Sequence, residues 1–232
     1  MSGFSYKDIY VEDGKRVLEV NILPEKYCNF DCIFCPIGRS QNKADGQKYF
    51  GEIDSSLIEL ELMIENTKAE LIFINSKGEA LLNDKISDVI DFIKGKGLPV
   101  RLLSNGYLLG KDKYRKIADK CDEVVGEIKV TTEENYQKAQ RPVKGYTLAE
   151  YISSMVAFNK QYKGKFIFEV TIIKDYNDDD ESIHKIKNII ERISPDKIII
   201  TRIEDERFTK KLGIPDERFV EISNTILCST IN

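Results

Sequence analysis

Three cysteines, Cys28, Cys32 and Cys35, lie within eight residues in the spacing C-x3-C-x2-C. The segment that carries them follows an apolar run and therefore fits a loop at the end of a strand. Three thiolates this close together can hold three corners of an iron–sulfur cube and leave the fourth iron without a protein ligand, whereas a cluster with four cysteine ligands usually carries only electrons. The triplet predicts a metal centre on this loop.

Other interpretations of the triplet have to be compared with this one. Zinc sites usually use paired C-x2-C units or add histidines at fixed spacing, and the one histidine here, His184, lies far along the chain. A disulfide framework requires an even set of cysteines in a small secreted chain, but this chain has five. We expect Cys121 to pack in the core and Cys228 to lie in the tail. The sequence favours an iron–sulfur cluster, with zinc or inert thiols as the alternatives.

Length and charge limit the class of protein. A chain of 232 residues can bury one substantial core, so we expect a single domain over 1–232. Within it, residues 1–15 would form an N-terminal hairpin arm, 16–205 the core, and 206–232 a C-terminal helix and tail. The net charge of −4 argues against a large nucleic acid as a partner. The sequence shows no apolar leader and no long apolar run, which predicts a cytoplasmic protein without membrane contact, and we expect a monomer.

Apolar runs alternate with amphipathic stretches along most of the chain. Asp13-Gly14 between two apolar runs predicts a hairpin that joins 8–11 to 16–23. Further strands are predicted over 71–74, 100–103, 123–131, 166–173 and 197–201. Helices are predicted over 55–66, 86–95, 111–120, 147–160, 178–193 and 215–227. Ser55-Ser56 and Asp84 are the predicted N-caps of the first two helices.

This order of elements predicts the fold class. Successive βα units imply a parallel sheet with right-handed crossovers, and six such strands are too few for the eight that close a TIM barrel. We therefore expect an α/β fold, namely an open (βα)6 partial TIM barrel with a mostly parallel sheet and a short N-terminal β-hairpin. A flat doubly wound sheet is the alternative. In both, ligands lie at the carboxyl ends of the strands, where the cysteine loop also falls.

The cysteine segment, with the aromatic Phe34 before the last cysteine, resembles the signature of the radical S-adenosylmethionine (radical SAM) superfamily. The resemblance implies a [4Fe–4S] cluster on Cys28, Cys32 and Cys35, with S-adenosylmethionine (SAM) bound to the fourth iron through its amine and carboxylate. In that family, one electron from the reduced cluster cleaves the sulfonium. The products are methionine and a 5′-deoxyadenosyl radical, which abstracts hydrogen from the substrate.

Three later segments extend the resemblance, and each follows or ends a predicted strand. Gly78-Glu79 resembles the family's Gly-Gly-Glu motif, with Lys77 in place of the first glycine. Ser104-Asn105 begins a segment similar to the family's Thr/Ser-Asn-Gly turn, and 129–132, with Arg141-Pro142 downstream, resembles its fourth-strand segment. The resemblance implies SAM contacts from Gly78, Glu79, Ser104, Asn105, Lys129, Thr131 and Phe34. It does not identify the residue that meets the substrate.

The flanking segments 20–24 and 38–40 resemble a poorly characterised subgroup related to the tRNA wybutosine-synthesis radical SAM enzyme. That enzyme has extra upstream cysteines for a second cluster, and none precedes Cys28 here, so the similarity concerns the SAM-binding core alone. The resemblance implies an enzyme that is reduced by a flavodoxin or ferredoxin and acts on an unknown small molecule, peptide or protein. Two alternatives remain open: an activase-like protein that acts on the backbone of a glycyl-radical enzyme, and a non-catalytic iron–sulfur electron carrier.

A few other polar residues lie where a substrate could touch them. Arg39 follows the cysteine loop, and Tyr107 and Arg202 follow strand ends, although a surface salt bridge is an equal interpretation for Arg39. The acidic run 178–181 suggests a metal site, but helix capping explains it with fewer assumptions. A solvated helix surface similarly explains His184.

Overall fold

The computed structural model describes residues 3–40 and 43–228, and these contain one open eight-stranded sheet. Its strands are β1 (Ser5–Tyr6), β2 (Tyr10–Glu12), β3 (Lys15–Asn21), β4 (Leu71–Ile74), β5 (Val100–Leu103), β6 (Glu123–Ile128), β7 (Lys165–Ile172) and β8 (Lys197–Arg202). Strands β3 to β8 pair parallel in sequence order, and β1 and β2 pair antiparallel with β3. The expected open partial barrel with an N-terminal hairpin is confirmed.

Helices connect the parallel strands. They are α1 (Asp54–Thr67), α2 (Ile86–Gly95), α3 (Asp112–Ala118), α4 (Glu133–Asn135), α5 (Leu148–Asn159), α6 (Asp180–Ile193), α7 (Glu206–Leu212) and α8 (Asp216–Leu227). In α2 the apolar residues recur at helical spacing, and Ile86, Val89, Ile90 and Ile93 are all buried. No helix within the described ranges is long and apolar enough to cross a bilayer.

The two faces of the sheet carry different chemistry. On one face Leu18, Ile72 and Val100 are register partners and are fully buried, so the hydrophobic core lies between this face and the helices. Because side chains alternate along a strand, the neighbouring residues face the interior of the partial barrel. Successive register partners on that inner face are Glu19, Phe73, Arg101, Glu123 and Lys165. Charges on the inner face therefore need protein partners or a ligand.

The predicted caps of the first two helices are wrong. Helix α1 begins after Ile53 and α2 begins after Lys85, both without a side-chain cap from the described part of the chain. Asn83, rather than Asp84, accepts the amide of Lys85 at 2.8 Å. A capping side chain usually reaches the helix from an extended backbone, whereas Lys85 has φ −91° and ψ 1°.

Several elements differ from the predicted ones at their ends or were missed. Strand β6 ends at Ile128 instead of reaching residue 131, and the chain then turns so that Thr132 caps α4. Strand β1 has two residues, which is too short for a periodic pattern. Helix α7 contains no buried residue and so shows no amphipathic signal. A π-helical turn, Tyr136–Gln140, was also not predicted.

Candidate functional site

Backbone hydrogen bonds hold the cysteine loop against two other segments of the chain. The segment 29–33 binds the turn 139–143 on one side. Its bonds run from Asp31 N to Gln140 O, from Ile33 N to Ala139 O and from Val143 N to Asn29 O. On the other side the amide of Ala44 donates to Cys28 O at 2.9 Å. All these bonds join protein atoms, so the chain itself orders the loop.

Gly78 packs against the backbone of Tyr27, the residue before the first cysteine. Its neighbour Glu79 donates its amide to Tyr27 O at 3.0 Å, and the amide of Tyr27 donates to Lys77 O at 3.1 Å. Gly78 has φ +137°, and a Cβ added there would lie 2.1 Å from Tyr27 O. The glycine of this motif is therefore needed for a close approach between two backbone segments, because no larger residue fits beneath the residue that precedes Cys28.

The three cysteine side chains are partly buried, and their charges interact. Burial, with smaller contributions from the carboxylate of Glu79 and the neighbouring Cys35, raises the pKa of Cys28 to about 12. Burial likewise raises the pKa of Cys32; Lys129 opposes this effect, whereas Cys28 and Cys35 add to it. A cationic metal group would stabilise the thiolates, and three thiolates are a donor set that iron–sulfur clusters use. The residues present therefore fit the expected cluster.

The cysteines do not have the arrangement of a single-ion site. Within 3–40 and 43–228, no three Cys, His, Asp or Glu side chains are grouped as the ligands of one metal ion. The ligands of a cluster differ in this respect, because each thiolate binds a separate iron atom.

Glu79 joins the loops at the carboxyl ends of β4 and β5. Its fully buried carboxylate accepts hydrogen bonds from the amide of Asn105 at 2.8 Å, the hydroxyl of Ser104 at 3.1 Å and the amide of Leu81 at 3.2 Å. Burial nevertheless raises the pKa of Glu79 to about 7, because desolvation outweighs these hydrogen bonds. An ammonium group placed beside this carboxylate would favour its ionised form.

Two asparagines connect the loop after β5 to the first cysteine, Cys28. Asn105 donates its side-chain amide to Asn29 Oδ1 at 2.6 Å, and the same nitrogen lies 3.9 Å from Cys28 Sγ. Asn29 is fully buried, and its own Nδ2 has no hydrogen-bond partner in the described part of the chain. Buried donors normally find a hydrogen-bond partner, so this amide group, one residue from Cys28, is available to a ligand. The sequence reasoning missed Asn29, although its position directly after Cys28 was a signal.

A cavity of about 300 Å³ opens at the carboxyl ends of β6, β7 and β8. Its lining includes Phe34, Glu127, Lys129, Glu169, Thr171 and Thr201. Lys129 lies 2.5 Å from the Glu127 carboxylate, and both side chains are less than one fifth exposed. Burial opposes the charged form of Lys129, but the carboxylates of Glu127 and Glu169 outweigh it and raise the pKa of the lysine. Lys129 therefore stays cationic at the edge of the cysteine loop.

Of the other residues singled out from the sequence, Arg202 lines this cavity, whereas Thr131, Arg39, Tyr107 and the acidic run do not. The hydroxyl of Thr131 is buried against Ser182 Oγ at 3.1 Å, at the start of α6, and Thr131 does not line the cavity. Arg39 forms a salt bridge with Asp31, and Tyr107 donates its hydroxyl to Glu150 at 2.8 Å. Asp179 caps α6, which confirms the capping interpretation of the acidic run. His184 and Cys228 are exposed and Cys121 is buried, as expected.

Glu127 and Glu169 are site residues that the sequence reasoning did not single out. They are register partners on β6 and β7, so their side chains face the interior side by side. Burial raises the pKa of Glu169, and the nearby Glu127 carboxylate adds to the effect. A carboxylate near the carboxyl end of an otherwise apolar strand was the available signal for both residues.

Comparisons with known proteins bear on this geometry. A family model described as the radical SAM superfamily matches residues 22–186, which include the cysteine loop and all the other residues predicted to contact SAM. A protein named GTPase Obg from Brachyspira hyodysenteriae is 26% identical over 203 residues, and a UPF0026 protein from Methanocaldococcus jannaschii is 26% identical over 201 residues. These matches cover 86% and 84% of this chain but only 30% and 63% of the relatives, so the chain spans less than two thirds of either protein.

A solved structure supports the same fold. The structure of TYW1 with a lysine-pyruvate adduct bound superposes with a TM-score of 0.65 at 16% sequence identity. The superposition covers 92% of this chain and 74% of that one. At this level of identity the likeness shows that the two chains share an architecture.

Proposed function

The chain belongs to the radical SAM superfamily, and from that premise we propose that it is an enzyme that uses a [4Fe–4S] cluster and SAM to abstract hydrogen from a substrate. The observation that carries the proposal is the arrangement around the cysteine loop. The buried Glu79 carboxylate acts on the charge of Cys28, the Lys129 ammonium acts on that of Cys32, and Cys35 acts on both of these thiols. These are the groups that a cationic cluster and an amino acid-bearing cofactor need.

Each residue of the candidate site has a proposed role. Cys28, Cys32 and Cys35 hold the cluster. Glu79 accepts the ammonium of SAM, since its buried carboxylate gains most from a cation, and Lys129 donates to the carboxylate of SAM. Gly78, Ser104 and Asn105 position Glu79 and the first cysteine through the contacts described above. Phe34, which is buried and lines the cavity, contacts the nucleoside or the substrate.

The chemistry itself comes from the bound groups. When bound and reduced, the cluster and SAM supply a 5′-deoxyadenosyl radical that removes a hydrogen atom from the substrate. The protein binds the reactants at the carboxyl ends of the strands. There they lie between the inner face of the sheet and the cysteine loop, which limits their contact with water. A cavity of about 300 Å³ is at the lower end of the range for small-molecule sites, which favours a small substrate.

Two further parts of the proposal concern the cell. We expect a flavodoxin or ferredoxin to deliver the electron, and a reducing cytoplasm to protect the cluster from oxidation.

Anaerobic reconstitution tests the proposal. The expected result is a brown protein with about four irons per chain that forms 5′-deoxyadenosine from SAM in the presence of dithionite. Cys28→Ala should lose both the colour and the product. Cys228→Ala should keep both, because Cys228 is exposed and lies at the end of α8, outside the loop. A colourless protein with one zinc would contradict the proposal, and a brown protein that never cleaves SAM would indicate an electron carrier.

A further inference from the structure

The cavity beside the cysteine loop contains more acidic than basic groups. Glu127 and Glu169 stand side by side on neighbouring strands, and Lys129 binds Glu127 at 2.5 Å. Glu169 accepts a hydrogen bond from the Thr201 hydroxyl at 3.3 Å. A carboxylate has about four acceptor positions, so this single neutral donor leaves most of the capacity of Glu169 unfilled.

The arginines near the cavity bind other acids. Arg202 lines the cavity, but its guanidinium forms a salt bridge with Asp216 and stacks over the Phe219 ring at 5.0 Å. Arg207 binds Asp205 and donates to Pro36 O at 2.6 Å. Among the lining residues within the described ranges, Lys129 is therefore the one cation directed at the two carboxylates.

The proposed function makes this imbalance larger. If Lys129 donates to the carboxylate of SAM, it shares its charge between SAM and Glu127. The adjacent carboxylates of Glu127 and Glu169 then have only the Lys129 ammonium as a counter-ion, and that ammonium also binds SAM. Like charges this close are unfavourable unless a proton or a cation reaches them.

The rest of the lining has a different character. Phe34 and Ile203 are buried apolar side chains that line the same cavity, and Pro36 lies beside them. Thr171 and Thr201 hydrogen-bond to each other at 3.2 Å next to Glu169. A ligand that fills this space would place an apolar body against Phe34 and Ile203 and a hydrogen-bond donor against Glu169.

We propose that Glu169 binds the protonated amine of the substrate, and that the substrate is a small primary amine with an apolar body. The inference rests on the proposed function, because the amine is the reactant of the same site. It assigns Glu169 as a specificity residue that contacts the substrate and leaves Glu79 and Lys129 to SAM.

A pair of probes that differ mainly in charge tests this assignment. Butylamine and 1-butanol have the same carbon chain, and ligand-observed NMR can measure the binding of each to the cluster-loaded protein in the presence of SAM. A charge-assisted hydrogen bond is expected to make butylamine bind at least about tenfold more tightly than butanol. Glu169→Gln should remove the difference between the probes. Glu204→Gln is the matched control, because Glu204 lines the same cavity but is exposed, and it should keep the difference.

Several results would overturn the assignment. They are equal binding of the two probes to the wild-type protein, no detectable binding of butylamine, or a preference for butylamine that survives in Glu169→Gln. Weaker binding of SAM to Glu169→Gln would also overturn it, since Glu169 would then hold the nucleoside. The titration requires no SAM cleavage, so a protein that binds the probes as expected but never forms 5′-deoxyadenosine would contradict the proposed function and leave this assignment of the amine site intact.

Discussion

Both ends of the inner face of the sheet carry charged side chains, but the two ends differ in how many of these charges have a counter-ion from the protein. At the amino end, Arg101 lies between Glu12 and Glu123 at 2.7 and 2.5 Å, and its side chain is 7% exposed. Lys197 binds Glu12 and Asp13 from the hairpin at the same end. At the carboxyl end, Glu79 and Glu169 are bound by neutral donors, and one lysine serves two carboxylates.

The difference separates groups that stabilise the fold from groups that we propose bind ligands. At the amino end the protein supplies a counter-ion for each of these charges, so the network closes the bottom of the partial barrel. At the carboxyl end, burial shifts the pKa values of Glu79 and Glu169 upward, so these groups would gain free energy from a cationic partner. Substitutions at the two ends should therefore have opposite profiles of stability and binding.

The largest expected effect on stability is that of Arg101→Met. Removing the arginine leaves Glu12 and Glu123 without their cation in a poorly solvated position, and we expect a loss of about 4 kcal/mol in the free energy of unfolding. Lys129→Met is the matched change at the other end and should cost less stability but weaken SAM binding by at least about tenfold. Urea unfolding and a SAM binding isotherm measure the two quantities. Equal losses of stability in the two variants would contradict the comparison.

Gly78→Ala should have the next largest effect. The new Cβ would lie 2.1 Å from the carbonyl oxygen of Tyr27, and φ is +137°, so the backbone has to move and we expect a loss of about 3 kcal/mol together with poor cluster incorporation. Gly145→Ala is the control, because Gly145 has φ +93° but open space around its Cβ position. Its expected cost is about 1 kcal/mol. Thermal unfolding and iron content would be measured for both variants. Similar losses of stability would show that backbone strain at positive φ, rather than the contact with Tyr27, causes the effect.

Glu79 should make the stability of the cluster-free protein depend on pH. Its pKa rises from 4.5 in the unfolded chain to about 7 in the folded one. Between these values the folded protein holds a proton that the unfolded chain releases, so stability falls as pH rises and becomes constant above about pH 7. The expected loss between pH 5.5 and 7.5 is about 2 kcal/mol. Glu79→Gln should reduce this slope in urea unfolding, and an unchanged slope would rule out Glu79 as its source.

The smallest expected effect concerns Asn105. Its side-chain nitrogen lies 3.9 Å from Cys28 Sγ, and an N–H directed at a ligand sulfur stabilises the more negative, reduced cluster. Asn105→Ala should therefore lower the midpoint potential of the loaded protein by about 40 mV, which corresponds to one hydrogen bond of about 1 kcal/mol. Asn159→Ala, which removes an amide bonded to Ile193 O and remote from the loop, should leave the potential unchanged. A potentiometric titration followed by EPR gives both values, and equal potentials in the two variants would remove Asn105 from this role.

The sequence was most informative where a structural element depends on its own residues alone. Strands β4 and β5 agree with their predicted bounds because β4 is a short apolar run, β5 is apolar except for Arg101, and both end at polar residues. The cysteine spacing, Glu79 and Ser104-Asn105 were predicted to lie at one site because each follows a strand and the carboxyl ends of parallel strands share an edge. The structure brings these residues together, with Glu79 bonded to the loop that carries Ser104 and Asn105.

The sequence was least informative where two distant segments have to meet. Glu127 and Glu169 become neighbours only through the register of β6 and β7, which no local pattern encodes. The close approach of Gly78 to Tyr27 depends in the same way on how two loops cross. Thr131 was predicted as a cofactor contact because it falls within a family motif, but β6 ends before it and the chain turns its hydroxyl towards α6.

The anchored cysteine loop also has a consequence for how the protein matures. Its shape is set by bonds to the turn 139–143 and to Ala44, and the segment just before it is bound to 77–79. The proposed cluster would therefore enter a loop whose shape is already set by contacts between protein atoms. We expect iron and sulfide to be accepted after folding, and a chain that had lost the proposed cluster to oxygen to remain able to accept a new one.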